Sequence, residues 1–275
     1  MSPKKRKVVS KMDYKQMVIE AYSGGDEVNR ANGSKYSMEF INTKKILDRY
    51  ISKEKRVIEL GCGGGYYGMH YGPHSLEYVG VDLSPVNVKI FSEQIQQAGL
   101  ENVSAQIGDA TALTDIPDES FDVVLCLGPL YHLNHSDRKQ CIRECRRICR
   151  PGGILAFSFI NKAGAMAKFG SGGNWEQILT PSIDECVINH GTDDVHTNIF
   201  YYTMPEEILE DTEAEGLSKI KMAGVDFLVL EPEIEKFTEE QRQIWFHFSE
   251  LVRESEYATA LCNHALLLCQ KPVAS

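Results

Sequence analysis

The chain has 275 residues, of which 43% are hydrophobic and 25% charged, and its formal net charge is −10. This composition fits one globular domain with a sizeable core and excludes a fibrous or fully disordered chain. No apolar run approaches the roughly 18 residues of a membrane span, and the acidic balance disfavours a nucleic-acid partner. The eight cysteines include no C-x-x-C pair, so no zinc ribbon or redox dithiol is predicted.

A dense basic run, PKKRKV, occupies residues 3–8. It resembles a monopartite viral nuclear-import signal of the kind often fused to recombinant proteins, and a solvated or nucleic-acid-binding arm is the alternative. We interpret residues 1–12 as a tag with its linker and residues 13–275 as a single domain. The resemblance implies an import receptor as partner and a nuclear location in a eukaryotic cell. In its native setting the protein is expected to be cytoplasmic, with no membrane partner.

Strand and helix signals alternate along the rest of the chain, as parallel α/β folds require. Apolar runs predict seven strands, at residues 56–60, 78–82, 103–108, 121–127, 153–160, 217–225 and 265–270. After the second of these strands, Ser84 and Pro85 predict the start of a helix that ends at Gly99. Its apolar face is expected to consist of Val86, Ile90, Ile95 and Ala98.

Three cysteines recur with isoleucines at helical spacing between the fourth and fifth strands: Cys141, Cys145 and Cys149. We interpret them as small apolar side chains of an amphipathic helix that faces the sheet, rather than as metal ligands. His132 and His135 lack thiolate or carboxylate partners at a recognisable spacing. No metal site is therefore predicted.

The stretch VIELGCGGGYYG, residues 57–68, places four glycines in five positions behind the first strand. Such a loop allows positive φ angles and the close approach of a ligand with a nucleotide half. The dinucleotide fingerprint fails because Tyr66 stands in place of its third glycine, and no Gly-Lys-Ser/Thr follows for a phosphate loop. Glu59, ahead of the loop, is a poor neighbour for phosphate and a reasonable one for a cation. S-adenosylmethionine, a sulfonium with an adenosine and no phosphate, fits this description.

Two carboxylates follow the next two predicted strands. Asp82 lies about 20 residues after Gly61, where an acidic residue accepts hydrogen bonds from ribose hydroxyls. Asp109 is placed to accept the adenine amino group. Taken alone, Asp82 or Asp109 could equally be a helix cap or a solvated acidic residue. Together with the glycine loop they predict one adenosine site, because open α/β sheets bind ligands at the carboxyl ends of their strands.

The motifs VIELGCGGG, VGVDLS, IGDA, FDVVLCLGPLYHL and ICRPGGILAFS occur in this order, and with them the chain resembles class I S-adenosylmethionine-dependent methyltransferases. The resemblance implies a Rossmann-like α/β fold with helices on both faces of a seven-stranded sheet of order 3-2-1-4-5-7-6, whose last strand is antiparallel. It implies S-adenosyl-L-methionine as cofactor. The residues implied to hold it are Glu59, Gly61 and Gly63 at the amino acid tail, Asp82 with Leu83 beside it at the ribose, Asp109 and Ala110 at the adenine, and Leu127 near the methyl group.

The turn after the fourth strand, LGPL at residues 127–130, bears on the acceptor. Nucleic-acid amino-methyltransferases of this fold carry Asp/Asn-Pro-Pro-aromatic there, and no Pro-Cys nucleophile occupies the turn either. We therefore expect a small-molecule O, N or S nucleophile, and LGPLYHL is similar to the motif of a bacterial subgroup thought to act on small molecules. A nucleic-acid or protein methyltransferase, or an inactive binding protein, is the alternative. His132, with Tyr131 beside it, is the candidate base, and a structural histidine is the alternative.

Two segments are expected to cover the sheet: an N-terminal cap, residues 13–50, and a lid insertion, residues 161–202. The insertion is long for a connection and rich in glycine, asparagine and aromatic residues. Candidate acceptor contacts are Tyr14 and Tyr22 in the cap and Trp175 and Tyr201 in the lid. A satellite core under the lid explains these aromatic residues equally well.

Overall fold

A computed structural model describes residues 14–24, 37–170, 173, 176, 179, 199–227 and 234–273. The basic tag, Trp175 and most of the predicted lid lie outside the described residues. Within them, no helix has both the length and the apolar character that crossing a membrane requires.

Eight strands of the described residues form one sheet. They are β1 Arg56–Leu60, β2 Glu77–Asp82, β3 Val103–Ile107, β4 Phe121–Cys126, β5 Cys149–Asn161, β6 Tyr202–Thr203, β7 Ser218–Gly224 and β8 His264–Gln270. The order is β3-β2-β1-β4-β5-β8-β7, with β6 paired to β5 beside this path. Neighbours from β3 to β5 are parallel, whereas β8 is antiparallel to both β5 and β7. This confirms the predicted fold class: β7 and β8 correspond to the sixth and seventh predicted strands, and β6 is an additional strand.

The fifth strand is longer than predicted. It begins at Cys149, four residues ahead of the predicted start, because Cys149 pairs with Phe121 and a register shift on β4 lies between Phe121 and Val123. The Pro-Gly-Gly sequence at residues 151–153 lies inside β5. Gly152 has φ +77° there, which only glycine adopts readily.

Eight α-helices of the described residues surround the sheet: α1 Tyr14–Ala21, α2 Met38–Leu47, α3 Tyr66–Tyr71, α4 Pro85–Ala98, α5 His135–Ile148, α6 Lys162–Gly170, α7 Pro205–Ala214 and α8 Glu239–Val252. The predicted bounds of α4 are confirmed: Ser84 Oγ accepts a hydrogen bond from the Asn87 N–H, and Gly99 ends the helix at φ 63°. One apolar cluster packs α5 and α7 on one face of the sheet, and a second packs α2, α3 and α4 on the other.

The predicted apolar face of α4 is wrong in part. Val88 and Phe91 are buried, whereas Val86 is exposed. The ring of Phe91 fills space that three glycines leave open: a Cβ on Gly65, Gly68 or Gly80 would lie 2.0, 2.1 or 2.6 Å from it. Two glycines of the 57–68 stretch therefore serve helix packing rather than a ligand.

The cysteines of α5 face the sheet, as predicted. Cys141 and Cys145 are fully buried, and their sulfur atoms lie within 4.8 Å of one another and of Cys126 on β4. Cys149 begins β5 instead of extending this group. The three thiols belong to the apolar cluster between β4 and α5, where three thiolates around a divalent ion would place a net negative charge in an apolar medium. We assign the group to packing.

Candidate cofactor and acceptor site

A cavity of about 110 Å³ lies at the carboxyl ends of β1 to β4. The end of β2, the loop after β3, the turn after β4 and helix α1 all contribute to its wall. The predicted site residues that line it are Tyr22, Gly61, Asp82, Leu83, Asp109, Ala110, Tyr131 and His132. The structure thus brings together residues that the sequence places more than a hundred positions apart.

The glycine turn supplies backbone to this region. Gly61 has φ +72°, and a Cβ there would lie 2.7 Å from the Pro129 ring, so a glycine lets the two turns pack together. Gly63 has φ +53°, with no atom within 4 Å of the place a Cβ would take. Its N–H donates to Asp82 Oδ2 at 2.8 Å. Gly61 borders the cavity, whereas Gly63 is placed to anchor the Asp82 carboxylate.

Glu59 lies behind the turn and does not line the cavity. Its side chain is 2% exposed and accepts a 2.6 Å hydrogen bond from the Tyr78 hydroxyl. Burial raises the pKa of Glu59 to about 8, although the Tyr78 hydrogen bond acts against this shift. The carboxyl group of Glu59 therefore keeps its proton at neutral pH. The sequence suggested that Glu59 attracts a cation, but it can do so only after it loses this proton. Its assignment to the cofactor tail stays a prediction.

Asp82, at the end of β2, is held by three donors. The Ser84 N–H donates to Oδ1 at 2.8 Å, the Asn87 amide to Oδ1 at 3.2 Å and the Gly63 N–H to Oδ2. Burial raises the pKa of Asp82 above its ordinary value, and these hydrogen bonds oppose the shift. The carboxylate is thus fixed in orientation, with its second oxygen bonded to one donor only.

Asp109 follows β3 and is paired with a residue of α1. Lys15 Nζ donates to Asp109 Oδ2, and the N–H and hydroxyl of Thr111 donate to Oδ1 at 2.8 and 2.7 Å. Burial by itself would raise the pKa of Asp109, but the hydrogen bonds from Lys15 and Thr111 outweigh it and the pKa lies below its ordinary value. Asp109 is therefore ionised at neutral pH.

One buried acceptor beside the cavity has no hydrogen-bond donor among the described residues. Asn87 Oδ1 is buried beside Asp82 and accepts no hydrogen bond within the described part of the chain. A buried carbonyl oxygen without a donor costs about 1–3 kcal/mol, so a ligand hydroxyl that reached it would be stabilised. Two acceptors on neighbouring residues fit a ribose with two adjacent hydroxyls, which agrees with an adenosine ligand at the end of β2.

His132 ends a short 3-10 helix, Pro129–His132, and is 8% exposed. Its Nδ1 lies 2.7 Å from the Ile199 carbonyl oxygen, which can only accept, so Nδ1 carries the hydrogen. The neutral ring then has its lone pair on Nε2, which lies 2.8 Å from the Tyr22 hydroxyl. Tyr131 lines the cavity with its ring, while its hydroxyl donates to the Leu127 carbonyl at 3.3 Å.

The other predicted site residues either do not line the cavity or lie outside the described part of the chain. Leu127 is buried in the apolar cluster under α2 to α4. Tyr201 is 7% exposed, and its N–H donates to the Tyr131 carbonyl at 2.8 Å. Its neighbours Phe200 and Tyr202 pack with Tyr131 in a small separate cluster, which favours the satellite-core interpretation for this end of the insertion. Tyr14 begins α1, and its side chain lies outside the described atoms, as does all of Trp175.

Sequence reasoning missed Lys15, Val18, Asn87 and Thr111. Asn87 could have been found, because it lies in the first turn of the helix that follows Asp82, where side chains face the strand end. Lys15 carried no local signal, since its partner Asp109 is 94 positions away.

Comparison with known proteins agrees with this geometry. Residues 58–157 match the family described as "Methyltransferase domain". The chain is similar to the uncharacterized methyltransferase YcgJ of Bacillus subtilis, with 35% identity over 100 residues that cover 36% of this chain and 38% of that protein. It is also similar to a ubiquinone biosynthesis O-methyltransferase of Coxiella burnetii, with 26% identity over 71% of this chain and 77% of that one. Among solved structures, the [4+2]-cyclase SpnF aligns with a TM-score of 0.63 and 19% identity, covering 94% and 97% of the two chains.

The sheet order, the glycine turn and the acidic strand ends define an α/β protein with the Rossmann-like fold of class I S-adenosylmethionine-dependent methyltransferases. The protein carries a methyltransferase domain and is an enzyme of the methyltransferase class. This class implies S-adenosylmethionine as the methyl donor. The likeness to a cyclase shows the fold alone and does not identify the acceptor.

Proposed function

We propose that the protein transfers the methyl group of S-adenosylmethionine to a hydroxyl group of a small molecule, with His132 as general base. One observation carries the proposal: a phenolic hydroxyl, that of Tyr22, lies 2.8 Å from His132 Nε2 in the cavity that also contains Asp82 and Asp109. The Ile199 carbonyl sets the tautomer, so Nε2 is the basic nitrogen. His132 therefore presents a proton acceptor to a hydroxyl inside the cavity.

S-adenosylmethionine supplies an electrophilic methyl group when it is bound. Asp82 and Asn87 would accept hydrogen bonds from its ribose hydroxyls, and Asp109 would accept one from its adenine amino group. His132 Nε2 would take the proton of the acceptor hydroxyl as the oxygen attacks. Pro129 and Tyr131 line the same wall and exclude water, and holding the two reactants close in such a pocket supplies much of the acceleration.

A hydroxyl acceptor is favoured over an amine or a thiol by the presence of a base. Amines and thiols need only their deprotonated forms, whereas an alcohol or phenol gains from proton removal during attack. The similarity to a protein named as an O-methyltransferase agrees with this choice. The acidic chain and the LGPL turn favour a small molecule over a nucleic acid.

The test is methyl transfer from isotopically labelled S-adenosylmethionine into a metabolite extract, followed by separation into small-molecule, protein and nucleic-acid fractions. We expect label in small molecules, on oxygen. His132→Ala should lower turnover by about 10²–10⁴-fold, the usual contribution of a general base. His135→Ala is the matched control, because this neighbouring side chain is 59% exposed and pairs with Asp211 away from the cavity. Label in protein or nucleic acid, or full turnover by His132→Ala, would refute the proposal.

A further inference from the structure

Helix α1 occupies part of the cavity that we assign to the methyl donor. Lys15 and Val18 of α1 and Tyr22, the residue that follows the helix, line it, at a spacing that places them on one side. Gln16 and Glu20 are exposed on the other side, where their side chains are hydrogen-bonded at 3.1 Å. The helix therefore has one face directed at the site and one directed at solvent.

Both polar residues of the inner face contact groups of the proposed machinery. Lys15 Nζ donates to the Asp109 carboxylate and, at 3.3 Å, to the Thr111 hydroxyl. The Tyr22 hydroxyl lies 2.8 Å from His132 Nε2, and the two rings meet edge to face with centroids 5.3 Å apart. Asp109, which would bind the adenine amino group, and His132, the base for the substrate hydroxyl, are thus both bonded to other side chains of the protein.

The space that remains is too small for the donor. The cavity measures about 110 Å³, whereas sites for small-molecule ligands enclose roughly 300–1,000 Å³. Among the described residues, side chains of α1 form one wall of this space, and the ends of the strands and their turns form the others. Because the strand ends are fixed by the sheet, α1 is the described wall whose displacement enlarges the cavity.

We propose that α1 is an autoinhibitory segment whose Lys15 and Tyr22 act as internal ligands of Asp109 and His132. The proposal rests on the proposed function, because it takes the donor and the acceptor hydroxyl as the ligands that displace them. The adenine amino group replaces Lys15 at Asp109, and the acceptor hydroxyl replaces the Tyr22 hydroxyl at His132. Since Lys15 belongs to α1 and Tyr22 follows its last residue, with the Tyr22 N–H bonded to the Val18 carbonyl at 3.1 Å, release of Lys15 by the donor also loosens Tyr22, so the donor binds before the acceptor.

The positive charge of Lys15 should also affect how strongly the donor binds relative to its product. S-adenosylmethionine carries a sulfonium and is more positive than its product S-adenosylhomocysteine, so the Lys15 ammonium opposes the donor more than the product. Removal of this charge should therefore improve binding of S-adenosylmethionine more than binding of S-adenosylhomocysteine. The difference should shrink at high salt, because screening weakens interactions between partly exposed charges.

The experiment is titration calorimetry with both ligands, together with stopped-flow association rates. Lys15→Met removes the charge and retains the apolar stem, and Gln16→Ala, on the outer face of α1, is the matched control. We expect Lys15→Met to bind S-adenosylmethionine about 1.5- to 5-fold more tightly, the range for a partly exposed ion pair, with faster association. Tyr22→Phe, which removes only the hydroxyl, should also tighten donor binding. Gln16→Ala should match the wild type.

Weaker or unchanged donor binding by both Lys15→Met and Tyr22→Phe, with wild-type melting temperatures, would overturn the proposal and make α1 an ordinary wall of the donor site. The proposed function would survive that result, because the wild type would still bind the donor. If neither the wild type nor either variant binds S-adenosylmethionine or S-adenosylhomocysteine, the proposed function itself fails and the α1 proposal fails with it.

Discussion

The buried carboxyl of Glu59 should make the stability of the fold depend on pH. Its pKa is about 8 in the folded protein against 4.5 for an ordinary glutamate, because burial outweighs the hydrogen bond from Tyr78. The folded protein therefore holds a proton that the unfolded chain releases. This contribution to stability is fully present below about pH 4.5 and is lost as the pH rises through about 8.

The magnitude follows from the two pKa values. Each pH unit between them lowers the free energy of unfolding by about 1.4 kcal/mol, which amounts to 3–5 kcal/mol across the interval as an order of magnitude. Glu59→Gln keeps the shape and the hydrogen bond and removes the titration. Urea unfolding at several pH values from 5 to 9 should show a flatter pH dependence for Glu59→Gln, and higher stability than the wild type at pH 8 to 9. The control is Glu101→Gln on the surface. Equal slopes in Glu59→Gln and the wild type would show that Glu59 does not titrate with a raised pKa in the folded protein.

Asp82→Ala should weaken binding of S-adenosylmethionine by about 1–3 kcal/mol and lower the melting temperature, because three donors lose their acceptor; calorimetry that shows unchanged affinity would contradict the ribose assignment. Tyr201→Ala should destabilise the fold by about 3–5 kcal/mol while donor affinity changes less than threefold, since the ring is buried; an unchanged melting temperature would argue for acceptor contact instead. Deletion of residues 1–12 should leave melting temperature and turnover unchanged and abolish nuclear import, and a sharp drop in melting temperature would exclude the tag interpretation.

Seven of the eight described strands could be predicted from the sequence because each is a short apolar run next to glycine, proline or polar residues, whereas β6 has only two residues. The start of β5 could not, since Cys149 joins the sheet only through its pairing with Phe121 on another strand. The face of α4 was mispredicted for a similar reason. Spacing alone does not reveal that three glycines on two other elements leave room for Phe91.

The candidate site was predictable where residues follow strand ends. Asp82, Asp109, Gly61 and His132 all reach the same cavity, because parallel strands bring their carboxyl ends to one edge. The contribution of α1 was not predictable, since it depends on long-range contacts of Lys15 and Tyr22. Neither was the protonation of Glu59, because the sequence shows a carboxyl group but not its burial.

A crystal structure of the protein with S-adenosylhomocysteine would show whether the cavity at the ends of β1 to β4 binds the donor through Asp82 and Asp109. We expect ribose hydroxyls within hydrogen-bonding distance of Asp82 and Asn87, and the adenine amino group at Asp109 in place of Lys15. A ligand bound elsewhere, or bound in this cavity with Lys15 still paired to Asp109 and the ribose away from Asp82, would contradict this expectation.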